Sequence, residues 1–151
     1  MKLLAFDTST ETMSVAVLGA DGAAVLACEG PGGAQASAEL IPAIERLLAQ
    51  AGLALADLDA IAFGRGPGSF TGLRTACAVA QGLGFGANVA VLALDTLLAV
   101  AEEAHARTGA EAVVAVLDAR MGEAYAASYQ RLADGWRTVA QPALCSPGDV
   151  V

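Results

Sequence analysis

Basic side chains are scarce in this chain, and that scarcity is the first limit on its chemistry. Eight Lys and Arg stand against sixteen Asp and Glu in 151 residues, a formal net charge of -8. A protein that grips nucleic acid unaided concentrates cations on one face, because phosphate contacts supply most of the affinity. Here the cations are scattered, so any dealing with RNA has to run through a partner. Histidine is rarer still. His105 is the only one, late in a helix beside Glu102 and Glu103, the setting of a solvated face. Its solitude excludes the HxxxH and HExxH zinc helices and leaves a Cys–His pair dependent on that one ring.

Cysteine is thin as well: Cys28, Cys77 and Cys145 are far apart and no CxxC is present. That excludes zinc ribbons and thioredoxin-type redox sites and fits buried thiols in a reducing compartment. The N-terminal apolar run meets Asp7 too early for a secretion signal. The run Thr75 to Leu94 carries no charge and is long enough to raise a membrane span. Gln81, three glycines and Asn88 interrupt it, and its apolar period changes halfway. A small-residue helix, a turn and a strand explain it better, and the expectation is a soluble cytoplasmic protein with no membrane contact.

What is present is an apolar chain, 56% hydrophobic, with much of that content in Ala and Gly. The length suits one core or two small lobes. Leu3–Phe6, Ser14–Leu18 and Ala23–Glu29 read as an antiparallel meander, with a hairpin signal at Asp21-Gly22. Gly30-Pro31-Gly32-Gly33 ends it. A helix follows, capped near Ser37, with Leu40, Ile41, Ile44, Leu47, Leu48 and Ala51 on one stripe and Gly52 as its stop. Pro42 falls early enough in it to be tolerated. Asp59–Gly64, Val89–Leu94 and a helix over Thr96–Arg107 continue as strand, helix, strand, helix, which predicts parallel pairing.

The N-terminal pattern then recurs. LLAFDTSTETMSVAV and VAVLDARMGEAYAAS are each an apolar strand, an Asp, a short polar turn and a second strand, with Asp7 matching Asp118. Asp134-Gly135 supplies a second Asp-Gly turn before Trp136–Ala140. An internal duplication follows, with a first lobe over 1–108 and a second begun over 109–151. Ser146-Pro147 has the form of a helix start, so the second copy stops short of its helices, and the chain is expected to be a truncated form of a longer one.

Two segments invite a chemical reading. Asp7, Thr8 and Thr10 sit where a strand opens into a hairpin, a place where a carboxylate and hydroxyls can hold a nucleotide phosphate or its magnesium ion. The alternative is turn chemistry through side-chain to backbone bonds. GRGPGSFTGLR, Gly64 to Arg74, looks like a phosphate loop. It lacks the Lys and hydroxyl of a Walker loop, since Leu73 and Arg74 follow Gly72, and Ser69 stands where a dinucleotide loop has its third Gly. Anion binding by the helix N-terminus stays open. The favoured reading is a strand-to-helix turn capped by Ser69 or Thr71, with Phe70 plugging the core. The helix after it carries Gly72, Ala76, Ala80 and Gly84 four residues apart, a groove for a close neighbour either within the fold or in a partner.

DTSTETMSVAV, GRGPGSFTGLRTACAVAQGLGFG and VLDARMGEAYAASY together resemble the TsaB (YeaZ) family, in order, from Met1 to about Gln130. The resemblance implies an α/β chain of the actin-like, sugar-kinase and Hsp70-type (RNase H-like) ATPase fold, with the first lobe complete and the duplicated second lobe cut short. It implies a non-catalytic subunit that pairs with a TsaD-type subunit in making threonylcarbamoyladenosine on tRNA. It implies that a TsaE-type ATPase docks on that pair and that tRNA is reached only through the complex; the alternatives are a nucleotide-binding phosphotransferase or ATPase lobe in which Asp7 and Asp118 face a nucleotide, and a plain homodimer through the same helices. It implies no cofactor on the chain itself, with ATP or ADP and metal on the partner. Carried over, the partner interface is the helix Ser37–Ala51, with Leu40, Ile41, Ile44, Leu47 and Leu48. The second interface helix is Thr71–Phe85, with Thr71, Arg74, Ala76, Ala80 and Leu83. Ala80→Glu is then expected to block pairing and spare the fold. The chain departs from many members at Ala36, where they have His before Ser.

Overall fold

Apolar side chains at alternate positions build the first sheet. In a computed structural model of the chain, which describes residues 1–19 and 25–150, β1 (Leu3–Asp7) buries Leu4 and Phe6. β2 (Thr12–Leu18) buries Met13, Val15 and Val17. Pairing is antiparallel with Phe6 opposite Val15 and Leu4 opposite Val17, so all five reach one face. Each such side chain contributes about 1.5–3 kcal/mol on burial. β3 (Leu26–Pro31) adds to β2 antiparallel. The Asp21-Gly22 signal lies outside the described residues. β4 (Ala60–Gly64) and β5 (Ala90–Leu94) join on the other side of β1 as parallel strands. The order β3-β2-β1-β4-β5 fits the actin-like, RNase H-like expectation.

α1 (Ala36–Ala51) packs on β2 and β3, and α2 (Phe70–Ala87) packs on β4, β1 and β5. α1 ends at Gly52, whose φ of 66° is the left-handed turn that favours glycine, and its N–H donates to the Ala49 and Leu48 carbonyls. Its start differs from expectation. Ser37 lies inside the helix and its hydroxyl donates back to the Ala34 carbonyl at 2.9 Å, after a 3-10 turn over Gly33–Gln35. Pro42 cannot donate to the Ala38 carbonyl, but Ala38 is exposed and water can take that place. The uncharged run to Leu94 resolves into most of α2, a left-handed cap at Asn88 and β5. Among the described residues no helix is long and apolar enough to cross a membrane.

A second compact unit takes Gly66–Gly68 and Asp95 onward, so the units divide before α3 (Thr96–Thr108), whereas the sequence pattern suggested a boundary after it. The reason is the helix's apolar side. Leu97 and Ala101 are buried with Ala115, Ala127 and Tyr129 of this unit's own sheet. That sheet is a meander of β6 (Ala112–Arg120), β7 (Glu123–Leu132) and β8 (Gly135–Cys145). β8 runs further than the predicted Trp136–Ala140. His105 is half-buried rather than solvated. Its Nδ1 lies 2.8 Å from the Ala110 carbonyl and its ring meets Trp136 edge-on at 5.7 Å. Trp136 in turn donates from Nε1 to Glu102 at 2.5 Å.

Asp7 and Asp118, matched in the sequence pattern, make the same local hydrogen bond. The Ser9 N–H donates to Asp7 Oδ1 at 2.6 Å, and the Arg120 N–H donates to Asp118 Oδ1 at 2.7 Å. At both positions the Asp turns the chain by taking the amide two residues on.

Candidate functional site

The loop after β4 behaves as a turn. The Arg65 N–H continues the ladder to the Leu94 carbonyl at 2.8 Å, and Gly66 takes a φ of 100°, open to glycine. Ser69 caps α2, its Oγ accepting the Gly72 N–H at 3.3 Å and its carbonyl accepting the Leu73 N–H at 2.9 Å. Ser69, not Thr71, is therefore the cap. The Thr71 carbonyl instead accepts the Thr75 hydroxyl at 3.1 Å.

The Asp7 hairpin is tied to this turn. Thr8 is fully buried and its hydroxyl donates to the Gly72 carbonyl at 2.7 Å. The Ser69 N–H donates to the Ser9 carbonyl at 2.7 Å. Asp7 Oδ1 accepts both the amide and the hydroxyl of Ser9. Thr10 closes a local turn, accepting the Thr12 N–H at 3.2 Å and donating to the Thr12 carbonyl at 3.0 Å. Of the three suggested nucleotide residues, Thr8 is thus closed off from any ligand, and the hydroxyls of both Thr8 and Thr10 serve the fold. Among the described residues no group of three or more His, Cys, Asp and Glu is placed to hold a metal ion.

The small-residue stripe faces inward. Gly72, Ala76, Ala80 and Gly84 are the buried residues of α2. A methyl at Gly72 would stand 1.8 Å from the Thr8 carbonyl oxygen, and one at Gly84 would stand 2.3 Å from the Val91 side chain. The groove lets α2 lie close on its own sheet. Ala76 and Ala80 therefore belong to the core and not to a partner surface. The same correction applies on α1, where Leu40, Ile44, Leu47 and Leu48 are core, and only Ile41 of the five is exposed. Leu83 is half-buried against that core.

The outward face of α2 is where a partner can touch. Phe70 is 69% exposed and Phe85 94% exposed. Phe70 plugs nothing: it carries the Arg74 guanidinium over its ring, with Cζ 3.8 Å from the centroid. Thr71, Arg74, Ala78, Gln81 and Gly82 are exposed between the two rings. Phe70, Arg74, Ala78, Gln81 and Phe85 recur at three- and four-residue spacing, which places them on one side of the helix. The sequence held the signal for this side. Once the Gly72 stripe is phased inward, the opposite stripe follows from 3.6 residues per turn. The two exposed rings give this side of the helix an apolar character that its core-facing side shares.

Comparison with known proteins agrees on one family. The model described as "TsaD: tRNA N6-adenosine threonylcarbamoyltransferase" matches residues 33–151. The tRNA threonylcarbamoyladenosine biosynthesis protein TsaB of Escherichia coli K12 is 39% identical over 150 residues, covering 97% of this chain and 63% of that protein. Its namesake in Haemophilus influenzae is 40% identical over 159 residues, covering 100% and 66%. A solved structure of YeaZ from Pseudomonas aeruginosa superposes with a TM-score of 0.90 at 43% identity, covering 99% of this chain and 70% of that one. The chain thus spans just under two thirds of the length of these two curated relatives. With motif order, sheet order and superposition in accord, the chain belongs to the TsaB (YeaZ) family.

Proposed function

We propose that this chain serves as the accessory subunit of a cytoplasmic machinery that attaches threonylcarbamoyl to adenosine in tRNA. It pairs through the outward face of α2 and the exposed Ile41 of α1 with a TsaD-type catalytic subunit. A TsaE-type ATPase joins that pair. The observation that carries the reading is the exposed Phe70–Arg74–Phe85 stripe on a helix whose other side is committed to the core. The net charge of -8 supports the indirect route to RNA, because an acidic chain gains nothing from phosphate contacts. ATP or ADP and metal belong to the partner in this reading. It is supported by Thr8, whose hydroxyl is buried and bonded to Gly72.

Co-expression with the TsaD-type subunit of the same organism, followed by sizing, tests the pairing. Co-elution at the mass of a heterodimer is expected. Separate elution of two folded proteins would defeat the reading. Calorimetry of the chain alone with ATP and magnesium is expected to show no micromolar binding.

A further inference from the structure

Arg74 is the one charged residue in α2, from Phe70 to Ala87, and it stands in the middle of the exposed stripe. Stacking on Phe70 holds its guanidinium in place. Among the described residues no carboxylate pairs with it. A guanidinium fixed by a ring keeps its planar fork of donors ready, so little entropy is lost when an acceptor arrives. A fork flanked by apolar surface also bonds more strongly once water is expelled. Resting on the reading of α2 as the docking face, we infer that Arg74 is a specificity-determining residue. It selects a partner protein whose apolar surface presents a single carboxylate opposite it.

Other occupants fit less well. The acidic character of the chain disfavours nucleic acid, which needs many cations rather than one. A second copy laid α2 against α2 brings no acid to Arg74, since α2 has none, and two copies of net charge -8 repel. A different protein carrying a carboxylate satisfies both the ring-held fork and the apolar stripe around it.

The test measures the dissociation constant between the full 151-residue chain and the TsaD-type subunit of the same organism, at about 0.05 and 0.5 M salt. Variants are Arg74→Gln, Arg74→Lys and Ala78→Glu, each checked for native circular dichroism. Arg74→Gln is expected to weaken pairing about 10- to 100-fold and to flatten its salt dependence. Arg74→Lys should restore little, because an ammonium on a flexible stem neither stacks flat nor forks. Ala78→Glu should abolish pairing by placing a charge in the stripe. Wild-type affinity and salt slope in Arg74→Gln, with Ala78→Glu inactive, would overturn the role of Arg74 and leave the docking face standing. Unchanged pairing in Ala78→Glu, or no pairing by the wild-type chain, would overturn both. Self-association weakened by Arg74→Gln without such pairing would hand the face to a second copy and also overturn the inference.

Discussion

Gly72→Ala sets helix propensity against packing, and the structure fixes which wins. In an open helix the change stabilises by up to about 1 kcal/mol, because Gly has more backbone freedom to lose. At Gly72 the new methyl would lie 1.8 Å from the Thr8 carbonyl oxygen and 2.8 Å from its carbon. Both are backbone atoms of the segment leaving β1, so no side chain can swing aside. The start of α2 has to move off that segment by about 1 Å or more. That displacement strains the Thr8 hydroxyl bond to Gly72 and the Ser69 amide bond to Ser9, each 2.7 Å long.

Overpacking costs roughly 1–3 kcal/mol, and a buried hydroxyl left without its acceptor costs about 1–3 kcal/mol more. The net expectation is a loss of about 1–5 kcal/mol after the propensity gain. At roughly 2–4 °C per kcal/mol for a chain of this size, Tm falls by about 2–20 °C. Gly82→Ala is the internal control. It lies on the same helix with nothing within 4 Å of the added methyl, and should stabilise by about 0.5–1 kcal/mol. Urea unfolding followed by circular dichroism gives both values from shifts in midpoint at constant slope. Equal shifts of the same sign in the two variants would refute the close approach of α2 to β1.

Three further changes separate inward from outward positions. Ala80→Glu forces a charge into a site with no exposure, so it should give insoluble or unfolded protein rather than a folded, unpaired subunit; a native spectrum would show Ala80 to be accessible. Ile44→Ala should cost about 2–5 kcal/mol in urea and Ile41→Ala under about 1 kcal/mol, since one is core and the other 43% exposed; equal costs would contradict the phasing of α1. Ser69→Ala removes the cap of α2 and should cost about 1 kcal/mol, with an unchanged urea midpoint counting against the cap.

The sequence determined a good deal by itself, wherever the cause is local. Apolar runs placed β1 and β2 as antiparallel neighbours, and strand–helix alternation foretold the parallel pairing of β4 and β5; that β4 also pairs parallel with β1 came from the structure. Gly52 was readable as the stop of α1, and the cap of α2 was narrowed to Ser69 or Thr71, because φ preference and hydroxyl geometry act over a few residues. The repeat of Asp7 in Asp118 was legible as pattern, and each Asp accepts the amide two residues on, a bond that local turn chemistry accounts for.

Tertiary structure decided the direction each helix faces. The Gly72–Gly84 stripe and the Leu40–Leu48 stripe each suit a core or a partner equally well, since periodicity gives a helix an apolar side but no address for it. Only packing on the sheet shows that both stripes are consumed internally, and that Phe70, which hydrophobicity alone sends to the core, stays outside under Arg74. The Thr8 hydroxyl followed the same logic. Residue type made it a candidate ligand for phosphate, and a contact with Gly72 across 64 positions of chain made it a strut of the fold.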